Sequence, residues 1–175
     1  MEYTLRYDSP LGPLTLVSDG EALTGLRFAE PGSAEEHAVP GTEKRPPVLS
    51  EAVRWLNAYF SGRDPGFTPV LRPQGSPFRM AVWEILRTIP YGQTVTYGQI
   101  AAVMARKTGK RRMSAQAVGG AVGHNPIALI IPCHRVIGAD GSLTGYAGGL
   151  DRKRGLLELE GIRIRETQGR KKQDP

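Results

Sequence analysis

Between residues 65 and 77 the chain reads Pro-Gly-Phe-Thr-Pro-Val-Leu-Arg-Pro-Gln-Gly-Ser-Pro. Neither a helix nor a central strand accommodates that run, because each proline removes a backbone donor and clashes with a continuing helix. The chain is therefore expected to fold as two units joined by a linker near 65–76: an N-terminal part over 1–74 and a C-terminal part over 75–165. The basic tail 166–175 is expected to be disordered. Charge divides at the same place. Residues 1–74 hold seven Lys/Arg against ten Asp/Glu, net −3, and residues 75–175 hold sixteen against seven, net +9. A basic half joined to a mildly acidic one suggests that the second half meets a polyanion, a solvated basic surface being the plainer reading.

With 175 residues, 39% of them hydrophobic, the chain has enough apolar material for one medium domain or two small ones. Its first residues, Met1 to Asp8, lack the basic start and apolar stretch of an export signal, and no run of eighteen apolar residues follows. A cytoplasmic protein without a membrane span is expected.

In the N-terminal part, Tyr3–Tyr7 and Leu14–Val17 read as strands around a Ser9–Pro13 turn, and Leu23–Phe28 as a third. A small antiparallel sheet follows. Residues 30–47 are polar and rich in Pro and Gly, which predicts a mobile loop. Ser50 is the expected N-cap of a helix over Glu51–Phe60, where Val53, Leu56 and Phe60 recur at helical spacing. The C-terminal part opens on a helix signal, Ser76 before Pro77, and stops at Pro90-Tyr91-Gly92. Thr96 and Ser114 are placed to cap short helices over Tyr97–Met104 and Ala115–Val122. Together they make a helix-turn-helix candidate, although a turn from Ala105 to Met113 is longer than that motif's usual one. The turn carries Arg106, Lys107, Lys110, Arg111 and Arg112, a cluster suited to neutralising phosphates.

One cysteine is present, in Ile131-Pro132-Cys133-His134-Arg135-Val136, after the apolar run Ile127–Ile131. The run reads as a strand that Pro132 ends, leaving Cys133 to reach a cleft. A lone thiol cannot form an intramolecular disulfide, and cationic neighbours lower a thiol's pKa towards neutrality, so Cys133 is a candidate nucleophile as well as a possible small core residue. Reactivity of that kind needs a reducing compartment. One cysteine with His37, His124 and His134 makes no zinc set; neither metal nor cofactor is expected.

Asn125-Pro126, Ile131 to Val136, and Gly145-Tyr146-Ala147-Gly148-Gly149-Leu150 together resemble the active-site region of the O6-alkylguanine-DNA alkyltransferases, the methylated-DNA–protein-cysteine methyltransferases. The likeness extends through Tyr91–Tyr97, Ala115–Val122 and Leu156–Gly161, covering residues 75 to about 165. It implies an α/β two-domain fold: a small N-terminal antiparallel sheet with helices, ribonuclease H-like, and a mostly helical C-terminal domain with a helix-turn-helix, winged-helix-like. It implies a monomer that acts on double-stranded DNA carrying O6-alkylguanine. The nucleotide is flipped from the minor groove and its alkyl group passes irreversibly to Cys133. Activity on O4-alkylthymine is open.

By the same resemblance His134 accepts the thiol proton through a water, Glu160 orients the imidazole, Asn125 ties the hinge before the active-site segment, and Tyr97 donates to the leaving guanine. Without the resemblance, Glu160 reads as the exposed end of a helix over Leu150–Glu160. Val136, Tyr146, Ala147 and Gly148 are assigned to the substrate pocket. Ala115, Gln116, Ala117, Gly119, Arg111, Arg112 and Arg135 are assigned to DNA, although Arg135 also reads as a thiolate-stabilising or salt-bridging residue. Gln116 stands where well-studied members carry an arginine wedge, and lacks that residue's charge and stacking plane. Three other functions fit parts of the pattern: a lesion binder without reactivity, a cysteine hydrolase using Cys133 and His134, and a helix-turn-helix regulator. The N-terminal half offers no legible chemistry beyond support.

Overall fold

In the computed structural model, residues 1–33 and 45–164 are described. Most of the loop expected over 30–47, and the tail 166–175, lie outside them. Strands β1 (Tyr3–Ser9), β2 (Gly12–Ser18) and β3 (Leu23–Phe28) form an antiparallel sheet in the order β1-β2-β3. Both hairpin strands run closer to the turn than expected, because Ser9 closes it: its hydroxyl donates to the Gly12 carbonyl at 2.6 Å and accepts from the Leu11 N–H at 3.2 Å.

Helix α1 (Pro47–Phe60) packs its apolar face, Leu49, Ala52, Leu56 and Tyr59, onto this sheet. It begins at Pro47 rather than after the expected Ser50 cap. Proline at the first helical turn forfeits an N–H that would have no partner there anyway, so a Pro-Pro start needs no side-chain cap.

The C-terminal half contributes α2 (Pro77–Leu86), α3 (Tyr97–Thr108), α4 (Ala115–Gly123) and α5 (Leu150–Leu159), with β4 (Val95–Thr96) and β5 (Val136–Ile137) paired in parallel. Ser76, Thr96 and Ser114 cap their helices as expected. Thr96 forms a full capping box with Gln99. Helix α3 runs past the expected Met104 to Thr108, which shortens the basic turn to residues 109–114. Arg106 and Lys107 thereby fall in the last helical turn, where cations suit the negative end of the helix dipole. Indole Nε1 of buried Trp83 donates to the Ala121 carbonyl at 2.8 Å and fastens α4 to α2.

The linker adds to the fold as well as connecting it. Leu23 of β3 exchanges backbone hydrogen bonds with Val70 and Arg72, both at 2.8 Å, and Leu26 does so with Pro126 and Ala128 at 3.0 and 2.8 Å. Two short parallel additions thus cover the outer edge of the sheet, which would otherwise be open for pairing. One continuous apolar core crosses both halves, from Leu14, Leu26 and Leu56 to Trp83, Ile127 and Leu156.

The apolar run Ile127–Ile131 is a compact turn rather than the expected strand. Only Ile127 makes a strand-like bridge. Ile131 N–H bonds to Ile127 C=O at 3.1 Å, Ile130 to Ala128 at 2.8 Å, and Leu129 sits at φ 69°. An apolar run reports burial and does not by itself distinguish strand from buried turn. Here the Asn125 side chain stands in for ladder partners, its Nδ2 donating to Ile131 C=O at 2.7 Å and its Oδ1 accepting from Ile127 N–H at 3.0 Å.

Candidate active site

Directly after this turn Cys133 opens a single 3-10 turn, Cys133–Arg135, whose residues are all buried. The thiol looks into a cleft of about 880 Å³. The cleft is bordered by Tyr97 of α3, Gly119 and Val122 of α4, the loop Gly145–Gly149, and Leu26 to Glu30 from the N-terminal sheet. Burial pushes the thiol pKa up, against the pull of the Asn125 side chain, the Lys153 cation and the nearby main-chain N–H groups. The resting thiol is therefore protonated, the reverse of what its cationic neighbours suggested in the sequence.

Burial is the main cause of the reversal, and both neighbours are engaged by Glu160, His134 through Nε2 and Arg135 through Nε. His134 is fully buried and its Nε2 lies 2.5 Å from Glu160 Oε2. Burial holds the imidazole pKa below its ordinary value, although the Glu160 carboxylate pulls it up. Arg135, only 7% exposed, donates from Nε to Glu160 Oε1 at 2.8 Å and from Nη1 to Ile89 C=O at 2.7 Å, and lies over the Tyr91 ring. Of the two readings the sequence left for it beyond DNA, the salt bridge is the one observed.

Glu160 is the hub. It caps α5 and is 7% exposed, not the solvent-facing helix end that the local sequence implies. Oε1 accepts from Arg135 and from the Gly92 N–H at 2.9 Å. Oε2 accepts from Tyr59 Oη at 2.7 Å and meets His134 Nε2. Burial alone would raise the carboxyl pKa, but the hydrogen bonds of His134, Gly92 and Tyr59 outweigh it and hold the pKa down to about 2. With Glu160 on Nε2, the other ring nitrogen, Nδ1, is buried and has no hydrogen-bond partner among the described residues. A neutral imidazole carrying its proton on Nε2 leaves Nδ1 as a base.

Two members of this cluster were not read from the sequence. Tyr59, fully buried on α1, carries the N-terminal half into the hub. At its position in the sequence it is indistinguishable from the apolar face of its helix. Lys153 has no exposed surface and donates from Nζ to the carbonyls of Thr144 and Gly145 at 3.0 and 3.4 Å. Burial lowers its pKa to about 8, against the pull of Cys133. Four charged residues in a row, Asp151 to Arg154, gave no sign that one was internal.

The remaining expected residues divide clearly. Tyr97, Asn125, Tyr146, Ala147 and Gly148 line the cleft with Cys133. Tyr97 Oη donates to Thr144 C=O at 3.0 Å, and the Tyr146 hydroxyl is buried with no partner among the described residues. Val136 is not brought to the cleft: it is fully buried and pairs with Val95, because β5 turns its side chain into the core. On α4, Val118, Ala121 and Val122 face inward, whereas Ala115, Gln116 and Ala117 are exposed and Gly119 borders the cleft. Arg111 and Arg112 are exposed beside them. Among the described residues no group of His, Cys, Asp and Glu is placed to hold a metal, and no helix is long and apolar enough to cross a membrane.

The chain is similar to known proteins over nearly all of its length. Residues 1–72 match the family described as 6-O-methylguanine DNA methyltransferase, ribonuclease-like domain, and residues 77–162 match its DNA binding domain. A methylated-DNA–protein-cysteine methyltransferase of Mycobacterium tuberculosis is 50% identical over 155 residues, 87% of this chain and 88% of that protein. The crystal structure of the M. tuberculosis O6-methylguanine methyltransferase superposes with a TM-score of 0.74 at 47% identity, covering 97% of this chain and 98% of that one. That of M. tuberculosis OGT in complex with DNA gives 0.72 at 51% identity, covering 89% and 90%. Two domains of one family, matched in order over nearly the whole described chain and supported by relatives identical at half their positions, place this chain in the 6-O-methylguanine DNA methyltransferase family.

Proposed function

We propose that this chain repairs DNA directly, moving the alkyl group of O6-alkylguanine onto Cys133 in a single irreversible transfer. The observation that carries the reading is the sole thiol bordering a cleft with ample room for a base, next to an imidazole that a buried carboxylate holds at 2.5 Å. In the reaction the thiol proton passes through a water to His134 Nδ1, and the imidazolium that forms is stabilised by Glu160 across Nε2. The sulfur lone pair forms a bond to the alkyl carbon while the carbon–O6 bond breaks and its electron pair stays with guanine. Tyr97 and the loop backbone offer hydrogen bonds to the base as that charge develops. The product is a thioether. It carries no easily expelled group, and with one cysteine in the chain no second thiol is present to release the first.

Sulfur cannot approach that carbon while the base is stacked, so the reading requires a flipped nucleotide. Helices α3 and α4 then act as a helix-turn-helix. The exposed Ala115, Gln116 and Ala117, with Gly119, enter the minor groove, and Gln116 fills the gap left in the stack. Arg111 and Arg112 take phosphates. Tyr146 Oη, buried and unpartnered among the described residues, faces the substrate, and Lys153 places its charge near the thiolate and holds the start of the loop. Residues 1–74 and 75–165 act as domains of one monomeric unit, the first supporting the second through Tyr59. A lone working thiol suits the reducing cytoplasm.

The test is mass spectrometry after mixing the protein with equimolar duplex carrying O6-methylguanine. Gain of one CH2 on the Cys133 peptide, with one guanine restored per protein, is expected. Binding without that gain means a recognition protein with an inert thiol, and turnover of a small thioester means a hydrolase.

A further inference from the structure

The loop Gly145–Gly149 is held at both ends by consecutive residues of the helix it leads into. Lys153 takes the first end. Arg152 takes the second: its Nη1 donates to Gly148 C=O at 3.4 Å, its Nε donates to Leu11 C=O at 2.9 Å, and its guanidinium carbon lies 4.4 Å from the centre of the Phe28 ring. Leu11 lies in the β1–β2 turn and Phe28 ends β3, so one side chain joins the loop to the N-terminal sheet. Two cations in the first turn of a helix oppose its dipole. A position that breaks a local rule calls for a compensating contact, and here both cations find it on main-chain carbonyls of the loop.

Packing around the strap leaves little slack. A Cβ on Gly148 would lie 2.9 Å from the Phe28 ring and 2.8 Å from the Tyr146 ring, and one on Gly12 would lie 2.7 Å from Arg152 Nη2. Arg152, Phe28, Tyr146 and Gly148 all border the cleft that holds Cys133. With Nε and Nη1 on carbonyls and Nη2 against Gly12, the guanidinium acts as a brace inside the protein, in contrast to a phosphate ligand. The planar guanidinium stacks on the Phe28 ring while two separate nitrogens reach two carbonyls from different segments, a spacing that the single nitrogen of a lysine does not offer.

We propose that Arg152 is a specificity-determining positioning residue: by strapping Gly148 to the N-terminal sheet it fixes the width of the pocket that receives the O6 substituent. The proposal rests on the alkyl-transfer reading above and adds that the N-terminal domain sets which alkyl groups are accepted. With the strap in place the Tyr146 ring and Gly148 are held at the border of the cleft that Cys133 also lines, and on this proposal the space they leave favours a methyl group. Without it the loop withdraws, order around the methyl is lost, and a wider group finds room.

The experiment measures second-order transfer rates from duplexes that differ only in O6-methylguanine or O6-benzylguanine, for the full-length protein, Arg152→Ala and Arg152→Lys. Affinity for undamaged duplex and melting temperature are measured alongside. The benzyl-to-methyl rate ratio is expected to rise roughly five-fold in Arg152→Ala, the scale of a lost hydrogen bond, and by less in Arg152→Lys, with duplex affinity unchanged. Should the alanine variant fail to fold, the ratio in Arg152→Lys decides. Wild-type transfer with a ratio that stays or falls in the variants overturns the role of Arg152 alone, because lost packing slows both substrates equally. Transfer of neither group by the wild type overturns the alkyl-transfer reading, and this proposal with it.

Discussion

Replacing Glu160 by glutamine removes one charge and keeps the shape, so its consequences follow from the four bonds that the carboxylate accepts. Arg135 and the Gly92 N–H occupy one oxygen, Tyr59 and His134 the other. An amide offers a single oxygen, and its NH2 must then face donors. Arg135 is left as a buried cation without its counter-charge, a change that costs about 3–5 kcal/mol. The pH dependence gives an independent check. A carboxylate held down to about 2 from 4.5 binds its proton later in the folded protein than in the unfolded chain. Its contribution is therefore full above pH 4.5 and is lost as pH falls towards 2, amounting to about 3 kcal/mol by linkage. His134, held below 6.5 by burial, adds a separate loss on the acid side, since the unfolded chain takes up that proton first. Urea unfolding at pH 7 and at steps down to pH 3 is expected to show a large stability gap between wild type and Glu160→Gln that narrows below pH 4.5. Single-turnover transfer should fall about 100-fold, the lower range for loss of a working acid–base group. A gap that stays constant across that range, or a variant that reacts at the wild-type rate, refutes the hub.

Four further outcomes are expected. Tyr97→Phe should slow transfer at saturating DNA by about 100-fold with little change in binding; equal rates would remove this hydroxyl from the chemistry. Gln116→Ala should slow repair in duplex and leave the reaction with free O6-benzylguanine untouched, and a loss on both substrates would place Gln116 elsewhere than in the base stack. Alanine at Arg111 or Arg112 should each lower the slope of log affinity against log salt by about 1, which titration at several salt concentrations reads directly. Lys153→Met should unfold at higher urea than wild type at pH 7 while transferring more slowly. The lysine pKa is lowered to about 8 from 10.5, so holding the charge costs stability below pH 8 and the gap closes as pH rises to 10.5. A variant that is both weaker and equally fast would contradict the role given to Lys153.

What the sequence made legible were features carried by a few adjacent residues. Ser76, Thr96 and Ser114 cap where a hydroxyl before an apolar helix should, and residues 65–76, where proline and glycine concentrate, form neither helix nor named strand. Cys133 and the glycine-rich loop were likewise visible as local clusters. What failed depended on partners distant in the chain. The Ile127–Ile131 run has strand composition, but Asn125 satisfies the backbone groups that a ladder would have used. Which partner Arg135 takes was open in the sequence, because Glu160, which binds its guanidinium, lies 25 residues on. Tyr59 reaches Glu160 across 101 residues, so its phenol is silent until the fold is known. Buried Lys153 is silent for the same reason, because a cation in a charged run reads as solvated by default.

A protein spent by a single transfer has reason to keep its thiol unreactive until the substrate arrives, and the burial of Cys133 provides this. At 8% exposure, with burial raising its pKa, the resting sulfur is a thiol shielded from oxidants, which attack exposed thiolates first. The same burial that suppresses ionisation makes the ionised state responsive to its surroundings, because Lys153 and the imidazolium of His134 act on the thiolate with little water between them. An alkylated base entering the cleft excludes water further and supplies the electrophile at the point where the thiolate is best stabilised. Reactivity is thus coupled to occupancy of the cleft. On this argument Cys133 in the free protein should alkylate slowly with iodoacetamide at pH 7, and Glu160→Gln should leave that slow rate nearly unchanged while still losing transfer from DNA. Rapid labelling of the free wild-type thiol would show that it rests as thiolate and would break the argument at its first step.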